Sequence, residues 1–175
     1  TPLHYAAHSG DPDLVHFLID KGAKLDARDA GSGTPLHVAA MNDRDEAAVA
    51  LLKRGAAVDA RDDYQRTPLL LCARERGQLS TARVLVEAGA DVNAVDKFGS
   101  NALELAAWRG KGKVVDYLLD KGAGLPKPGE KWYLLLHEAA SRGLDNLFQR
   151  LSGEVQDIKA AAGEGLLRDA AEGGS

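Results

Sequence analysis

Five histidines and one cysteine are the residues of this sequence that could carry metal or nucleophilic chemistry. Three of the histidines recur in phase along the chain: His4, His37 and His137. The repetition favours a structural role for all three. His8 and His16 are single, without a partner at a metal-ligand spacing, and no serine–histidine–acid arrangement follows from the spacing. We therefore predict no catalytic residues, no metal site, no cofactor and no enzyme activity.

Two further motifs have a structural explanation. Cys72 is the only cysteine, so it forms no internal disulfide, and it replaces an alanine of a repeated Ala-Ala pair. We expect it to be buried and inert, because apolar surroundings suppress the thiolate. The segment 110–113 (Gly-Lys-Gly-Lys) looks like a piece of a phosphate-binding loop, but it lacks the glycine spacing and the final Ser or Thr. A turn is the better interpretation.

Composition places the chain among ordinary globular proteins of one domain, or two at most. Of its 175 residues, 45% are hydrophobic and 27% are charged, which excludes a disordered chain. No apolar run approaches the roughly 18 residues of a membrane helix, so we expect no membrane insertion. The formal net charge of −4 disfavours a globally basic nucleic-acid binder. The first residue is Thr1, not Met, so the N-terminus does not reveal localisation; an intracellular protein is favoured.

An internal repeat decides the architecture. The heptapeptide Thr-Pro-Leu-His-Tyr-Ala-Ala at 1–7 recurs with decreasing fidelity every 31 to 34 residues. Its copies begin at Thr34, Thr67, Asn101, Leu134 and Gly165. A glycine followed by alanine recurs at the same period, at Gly22, Gly55, Gly89 and Gly122. Two landmarks with one period exclude chance.

Each repeat is predicted to contain two short helices. Thr34 is a good N-cap, and Pro35 suits the first helical position, where a missing N–H costs nothing. The second helix shows apolar residues at helical spacing, as in 14–19, and the repeated glycine ends it in the left-handed conformation. Such short helices are unstable alone, so neighbouring repeats must stack into one continuous core.

These repeats resemble those of the ankyrin-repeat family, whose signature joins the Thr-Pro-Leu-His opening to a 33-residue period. The resemblance covers essentially the whole chain. It implies an all-α solenoid of helix-turn-helix units with hairpin loops, in which the repeated histidines hydrogen-bond to neighbouring loops. We predict a single domain over 1–175, with repeats at 1–33, 34–66, 67–100, 101–133 and 134–164 and a partial repeat at 165–175. Neither end carries a polar capping repeat, so we expect a piece of a longer protein.

The resemblance implies that partners bind the concave side, formed by the hairpin tips and the ends of the first helices. Five of the nine aromatic residues fall at these positions, and arginines accompany them. Trp, Tyr and Arg dominate binding hot spots. The candidate partner-binding residues are Tyr64, Arg66, Arg74, Arg76, Phe98, Trp108, Arg109, Trp132, Tyr133 and Arg142. Lys111 and Lys113 lie beside them on the inter-helix turns.

A simpler interpretation remains open for these residues. Trp132 and Tyr133 follow an unusual loop at 126–129 and could pack against it, and Phe98 could fold onto a neighbouring tip. The basic residues could equally form a solvated edge. Aspartates at the same tips would balance them: Asp29, Asp62, Asp63 and Asp96.

We predict a non-catalytic protein-interaction module that binds a protein or peptide, with an acidic segment suiting the aromatic and arginine side chains. The alternative is a regulatory or substrate-recruiting arm of an enzyme or effector whose catalytic domain lies outside this chain. Nucleic acid is disfavoured, and a monomer is expected. Asn93 lies in a segment similar to those that asparaginyl hydroxylases modify in ankyrin proteins, but we favour a simple turn residue.

Overall fold

A computed structural model describes residues 1–75, 78–127 and 129–153. The chain divides into two compact units, Thr1–Gly124 and Leu125–Ser175. Within the described residues, regular structure is helical apart from one isolated antiparallel bridge between Val95 and Asn101. The predicted all-α class is therefore confirmed. The single domain over 1–175 and its repeat boundaries stay predictions.

The first unit contains four helix pairs that follow the predicted period. Their bounds are α1 Pro2–Ser9, α2 Pro12–Asp20, α3 Pro35–Met41, α4 Asp45–Lys53, α5 Pro68–Arg74, α6 Leu79–Glu87, α7 Ala102–Trp108 and α8 Gly112–Asp120. The first helices α1, α3, α5 and α7 contact one another in sequence, and so do the second helices α2, α4, α6 and α8. This unit is a solenoid of two helical rows, as predicted.

Local sequence sets where the first helices begin. The Thr34 side chain caps α3 by accepting a hydrogen bond from the His37 backbone N–H. Asn101 does the same for α7, and the Glu104 carboxylate accepts a hydrogen bond from the Asn101 N–H in return, at 3.0 Å. The departures from the heptapeptide thus keep the capping chemistry, because Asn and Glu form the same reciprocal pair as Thr and His.

Glycine sets where the second helices end. Gly22, Gly55, Gly89 and Gly122 have φ of 88°, 92°, 92° and 83°, the left-handed region that side chains disfavour. The predicted role of these glycines is confirmed. Between the rows, the paired small residues are fully buried: Ala6–Ala7, Ala39–Ala40, Cys72–Ala73 and Ala106–Ala107. Their small size allows the close approach that the stacking requires.

The second unit departs from the repeat pattern. Helix α9 spans Glu130–Ser141, and residues 145–153 are also helical. The helix begins four residues before Leu134, where the heptapeptide predicts a start, and Gly129 precedes it as the N-cap. The residues expected at a hairpin tip therefore form the first turn of α9. The predicted partial repeat at 165–175 lies outside the described residues.

Candidate protein-binding surface

Each hairpin tip of the first unit is organised by one aspartate. The Asp62 carboxylate accepts hydrogen bonds from the backbone N–H groups of Tyr64 and Arg66, at 2.8 and 2.9 Å. Asp29 and Asp96 hold their own tips in the same way. An aspartate is suited to this because its short side chain can bond the backbone two residues on. The carboxylates of Asp29, Asp62 and Asp96 therefore have a structural role in their own tips.

Successive tips are joined to one another. The Asp63 N–H donates to the Gly31 carbonyl at 3.1 Å, and the Lys97 N–H donates to the Tyr64 carbonyl at 3.0 Å. The Arg28 guanidinium donates to carbonyls of its own tip and of the next, and Arg61 repeats this one unit further on. These two arginines are not among the residues predicted from the sequence, although their 33-residue spacing was a signal. Through these hydrogen bonds, each arginine links one tip to the next.

Two exposed rings and two cations meet at the tips that end the second and third predicted repeats. The Lys97 Nζ lies 4.0 Å from the Tyr64 ring centroid and 5.2 Å from that of Phe98. The Arg66 guanidinium lies 4.7 Å from the Tyr64 centroid. Tyr64 and Phe98 remain 44% and 64% exposed. We call Tyr64, Arg66, Lys97 and Phe98 the tip cluster, and its lysine was absent from the predicted set.

Arg66 has a second role within its own tip. Its guanidinium pairs with the buried Asp62 carboxylate at 2.6 Å. Burial alone would raise the pKa of Asp62, but hydrogen bonds from the Arg66 side chain and from the backbone N–H groups outweigh it, and the pKa is lowered. The positive charge of Arg66 is therefore largely neutralised by Asp62, while its guanidinium also contacts the Tyr64 ring.

The candidate residues at the ends of the first helices differ in their exposure and in their contacts. Arg74 contacts the neighbouring Glu75 carboxylate at 3.4 Å, Trp108 is half-buried, and Arg109 is exposed. Met41, at the end of α3, is also exposed. Arg76 lies outside the described residues. Within the first unit, the structure brings Tyr64, Arg66 and Phe98 together.

The three predicted residues of the second unit occupy different environments. Trp132 is 2% exposed, so the expectation of an exposed aromatic side chain is wrong there, because the residue falls on the buried face of α9. Tyr133 is exposed, with its ring edge-on to Trp132 at 5.1 Å between centroids. Arg142 pairs with Glu138 one helical turn away.

In the first unit, two of the repeated histidines and the cysteine behave as structural residues. The Nε2 atoms of His4 and His37 lie 3.0 and 2.9 Å from the Gly33 and Arg66 carbonyls, in the next hairpin tip. Burial lowers the pKa of His37. His137, by contrast, is exposed on α9. Burial also raises the pKa of the Cys72 thiol to about 12, which agrees with an inert side chain.

Two sequence motifs prove to be turns. Gly110 has a φ of 70° and Lys111 is the N-cap of α8, so 110–111 form the predicted turn, whereas Gly112 and Lys113 are the first two residues of α8. The Asn93 side chain accepts a hydrogen bond from the Gly124 N–H at 2.7 Å and tethers the next loop. Among the described residues, no group of three or more His, Cys, Asp or Glu side chains could hold a metal ion. None of the helices in those same ranges is long and apolar enough to cross a membrane.

Known proteins share these repeats. The family described as "Ankyrin repeats (3 copies)" matches residues 3–96 and 58–128. Cyclin-dependent kinase 4 inhibitor B of Rattus norvegicus is 41% identical over 81 residues, which cover 45% of this chain and 61% of the inhibitor. Its counterpart in Mus musculus is 40% identical over the same shares of both chains. The matched segment thus spans about three fifths of the length of these relatives.

Proposed function

The chain belongs to the ankyrin-repeat family of protein-interaction modules, and on that premise we propose that it binds a protein or peptide partner through the tip cluster. The binding face comprises the hairpin tips and first-helix ends of the first unit, the side that is concave in the family. Arg74, Trp108 and Arg109 extend the tip cluster on this face, and the module acts without catalysing a reaction.

The observation that carries this proposal is the exposure of two adjacent rings that are held rigid. Tyr64 sits on a tip fixed by the Asp62 carboxylate, and Phe98 sits on a tip fixed by Asp96. Both rings remain exposed to solvent although a cation lies over each. Rings that are ordered before binding lose little entropy on contact and contribute strongly to affinity.

Charge favours an acidic partner segment at this place. Lys97, Arg74 and Arg109 are cations at the tip and helix ends of this face. A partner carboxylate would form charge-assisted hydrogen bonds with them, and its apolar neighbours would cover the two rings. Binding to such a segment is expected to weaken as salt concentration rises.

The test compares a double aromatic variant of the tip cluster with a single aromatic control. We expect the double variant Tyr64→Ala/Phe98→Ala to lose at least about tenfold in affinity for a partner captured from native lysate and then purified. Phe17→Ala is the control, because Phe17 is also an exposed ring with a lysine over it, but it lies on the second-helix row. Equal affinity of the double variant and the wild type would contradict the proposal.

A defined first partner to assay is cyclin-dependent kinase 4, after which the rat and mouse relatives are named. Calorimetric titration of the purified kinase with the wild type and with the two aromatic variants gives the affinity directly. The regulatory-arm alternative predicts that binding occurs within a parent chain. It is tested by adding this module in trans to an enzyme that contains it and measuring the rate.

A further inference from the structure

A small pocket opens on the same face one repeat before the tip cluster, between α3 and α5. Its volume is about 180 Å³, below the roughly 300–1,000 Å³ of pockets for drug-sized ligands. It therefore suits one side chain of a partner. Three apolar side chains contribute to the lining, from Val38, Met41 and Leu71.

The charged lining of this pocket is predominantly acidic. Asp62 and Arg66 both line it and neutralise each other at 2.6 Å. Two further carboxylates, of Asp29 and Glu75, belong to the lining as well. The contact of Glu75 with Arg74 is 3.4 Å long and more than a third exposed, which makes it weak. Since burial keeps the adjacent His37 neutral by lowering its pKa, the lining side chains carry a net negative charge. The Lys111 Nζ, which donates a hydrogen bond to the Glu75 carbonyl, offsets part of this charge from outside the lining.

Two glycines make this acidic pocket accessible. Gly31 and Gly33 occupy the places that Tyr64 and Arg66 occupy in the next tip, 33 residues on. A Cβ atom on Gly33 would lie 3.2 and 3.3 Å from the Asp29 carboxylate oxygens, tighter than ordinary contact. The next tip carries side chains at both places, whereas this tip carries none and its Asp29 side chain is exposed.

We propose that this pocket receives a lysine or arginine side chain of the protein partner. The aliphatic stem would lie on Val38, Met41 and Leu71, and the cation would meet the Asp29 and Glu75 carboxylates. Lysine and arginine are the side chains that combine an apolar stem with a charged head, and their charge complements the lining. The inference rests on the proposed function and specifies how the partner is aligned. A basic residue of the partner lies at the pocket, and its acidic residues lie towards the tip cluster.

The direct test titrates isotope-labelled protein with single-residue probes, observed by nuclear magnetic resonance. N-acetyl-lysine amide and N-acetyl-arginine amide are the cationic probes, and N-acetyl-norleucine amide has the stem without the charge. We expect millimolar binding of both cationic probes, with shifts at the amides of Gly31, Gly33, Met41 and Glu75, and at least about threefold weaker binding of the neutral probe. Equal binding of norleucine amide, or shifts confined to other residues, would overturn the assignment.

Variants test the pocket in two independent ways, one through its shape and one through its charge. Gly31→Tyr/Gly33→Arg copies the next tip and should fill the space, while Glu75→Gln removes one carboxylate without changing the shape. Each is expected to weaken binding of the lysine probe several-fold. Glu87→Gln, at an exposed carboxylate on α6, is the matched control and should bind as the wild type does. If the double glycine variant does not fold, Glu75→Gln decides; unchanged binding there contradicts the proposal.

The affinity of the variants for the partner identified above distinguishes a failure of this inference from a failure of the proposed function. If Tyr64→Ala/Phe98→Ala loses the partner while a folded Gly31→Tyr/Gly33→Arg binds normally, the tip cluster stands and the basic anchor is wrong. If the glycine variant and Glu75→Gln both weaken the partner about tenfold, the anchor is supported. Normal binding by the aromatic variant together with lysine-probe binding would refute the tip cluster alone.

Discussion

At the scale of single residues, His37 shows how one side chain joins two repeats. Its Nδ1 accepts a hydrogen bond from the Thr34 N–H at 3.1 Å, so the neutral ring carries its proton on Nε2 and donates it to the Arg66 carbonyl. One half of the ring caps its own helix, and the other half holds the next hairpin tip. Protonation of Nδ1 would break the first of these bonds.

The lowered pKa of His37 makes stability depend on pH. The unfolded chain binds this proton near pH 6.5 and the folded chain only at lower pH, so stability falls as pH drops below about 6.5. We expect urea unfolding to show a steeper loss between pH 7.5 and 5 for the wild type than for His37→Leu, which copies Leu70 of the next repeat. His37→Leu should also be about 1 kcal/mol less stable at pH 7.5. His16→Leu, on the second-helix row, is the control; a slope unchanged by His37→Leu would contradict this assignment.

The hydroxyl of Tyr117, unlike the His37 ring, is buried without a hydrogen bond to any residue that the structure describes. The Tyr117 ring packs under the Arg83 guanidinium, which lies 4.7 Å from its centroid. We expect Tyr117→Phe to keep or raise the free energy of unfolding, by up to about 1 kcal/mol, because it removes an unsatisfied group and keeps the ring. Tyr133→Phe, at an exposed hydroxyl, should be neutral. A clear loss of stability in Tyr117→Phe would show that the hydroxyl is bonded.

At the scale of elements, helices of seven to nine residues persist in the first unit because their ends are fixed and their faces are buried. Gly89 ends α6 with a φ of 92°, and a Cβ atom there would meet nothing within 4 Å. The cost of a side chain at Gly89 is therefore backbone strain alone. A substitution at Gly89 therefore measures the conformational cost of a side chain without a steric contribution.

Gly89→Ala is expected to lower the free energy of unfolding by about 1–2 kcal/mol, the cost of the left-handed conformation for an L-residue. Gly31→Ala is the control, since Gly31 is outside the left-handed region and its added Cβ would make only ordinary contact at 3.7 Å. Chemical denaturation of both variants measures the difference. Equal effects would mean that residue 89 can adopt another conformation at no cost.

At the scale of the whole first unit, each repeat is stabilised by its neighbours, since helices of one row contact the next helix along. A cavity in one repeat should therefore loosen nearby repeats most. Leu36→Ala, in the buried core of α3, is expected to cost about 2–5 kcal/mol and to speed hydrogen exchange in α1 to α6 more than in α7 and α8. Leu134→Ala, exposed on α9, should leave exchange in the first unit unchanged. A uniform increase over α1 to α8 would indicate one cooperative unit instead.

The repeat, the caps and the helix-ending glycines followed from the sequence alone because they are local and periodic. Thr34 and Gly89 act through bonds and angles within a few residues, and the copies reveal each role several times. The prediction failed where periodicity weakened: α9 begins at Glu130, and Trp132 is buried. One degraded heptapeptide could not fix the phase of that helix.

Only the tertiary structure decided which side chains meet across repeats. Lys97 lies against Tyr64 because successive tips bond to each other, and Gly31 and Gly33, which have no side chains, line the pocket beside Glu75. These contacts join residues about one repeat apart, and their geometry depends on the stacking. Sequence by itself determined which residue types stand on the tips; stacking determined which cations are paired, which rings stay exposed and where the acidic pocket lies.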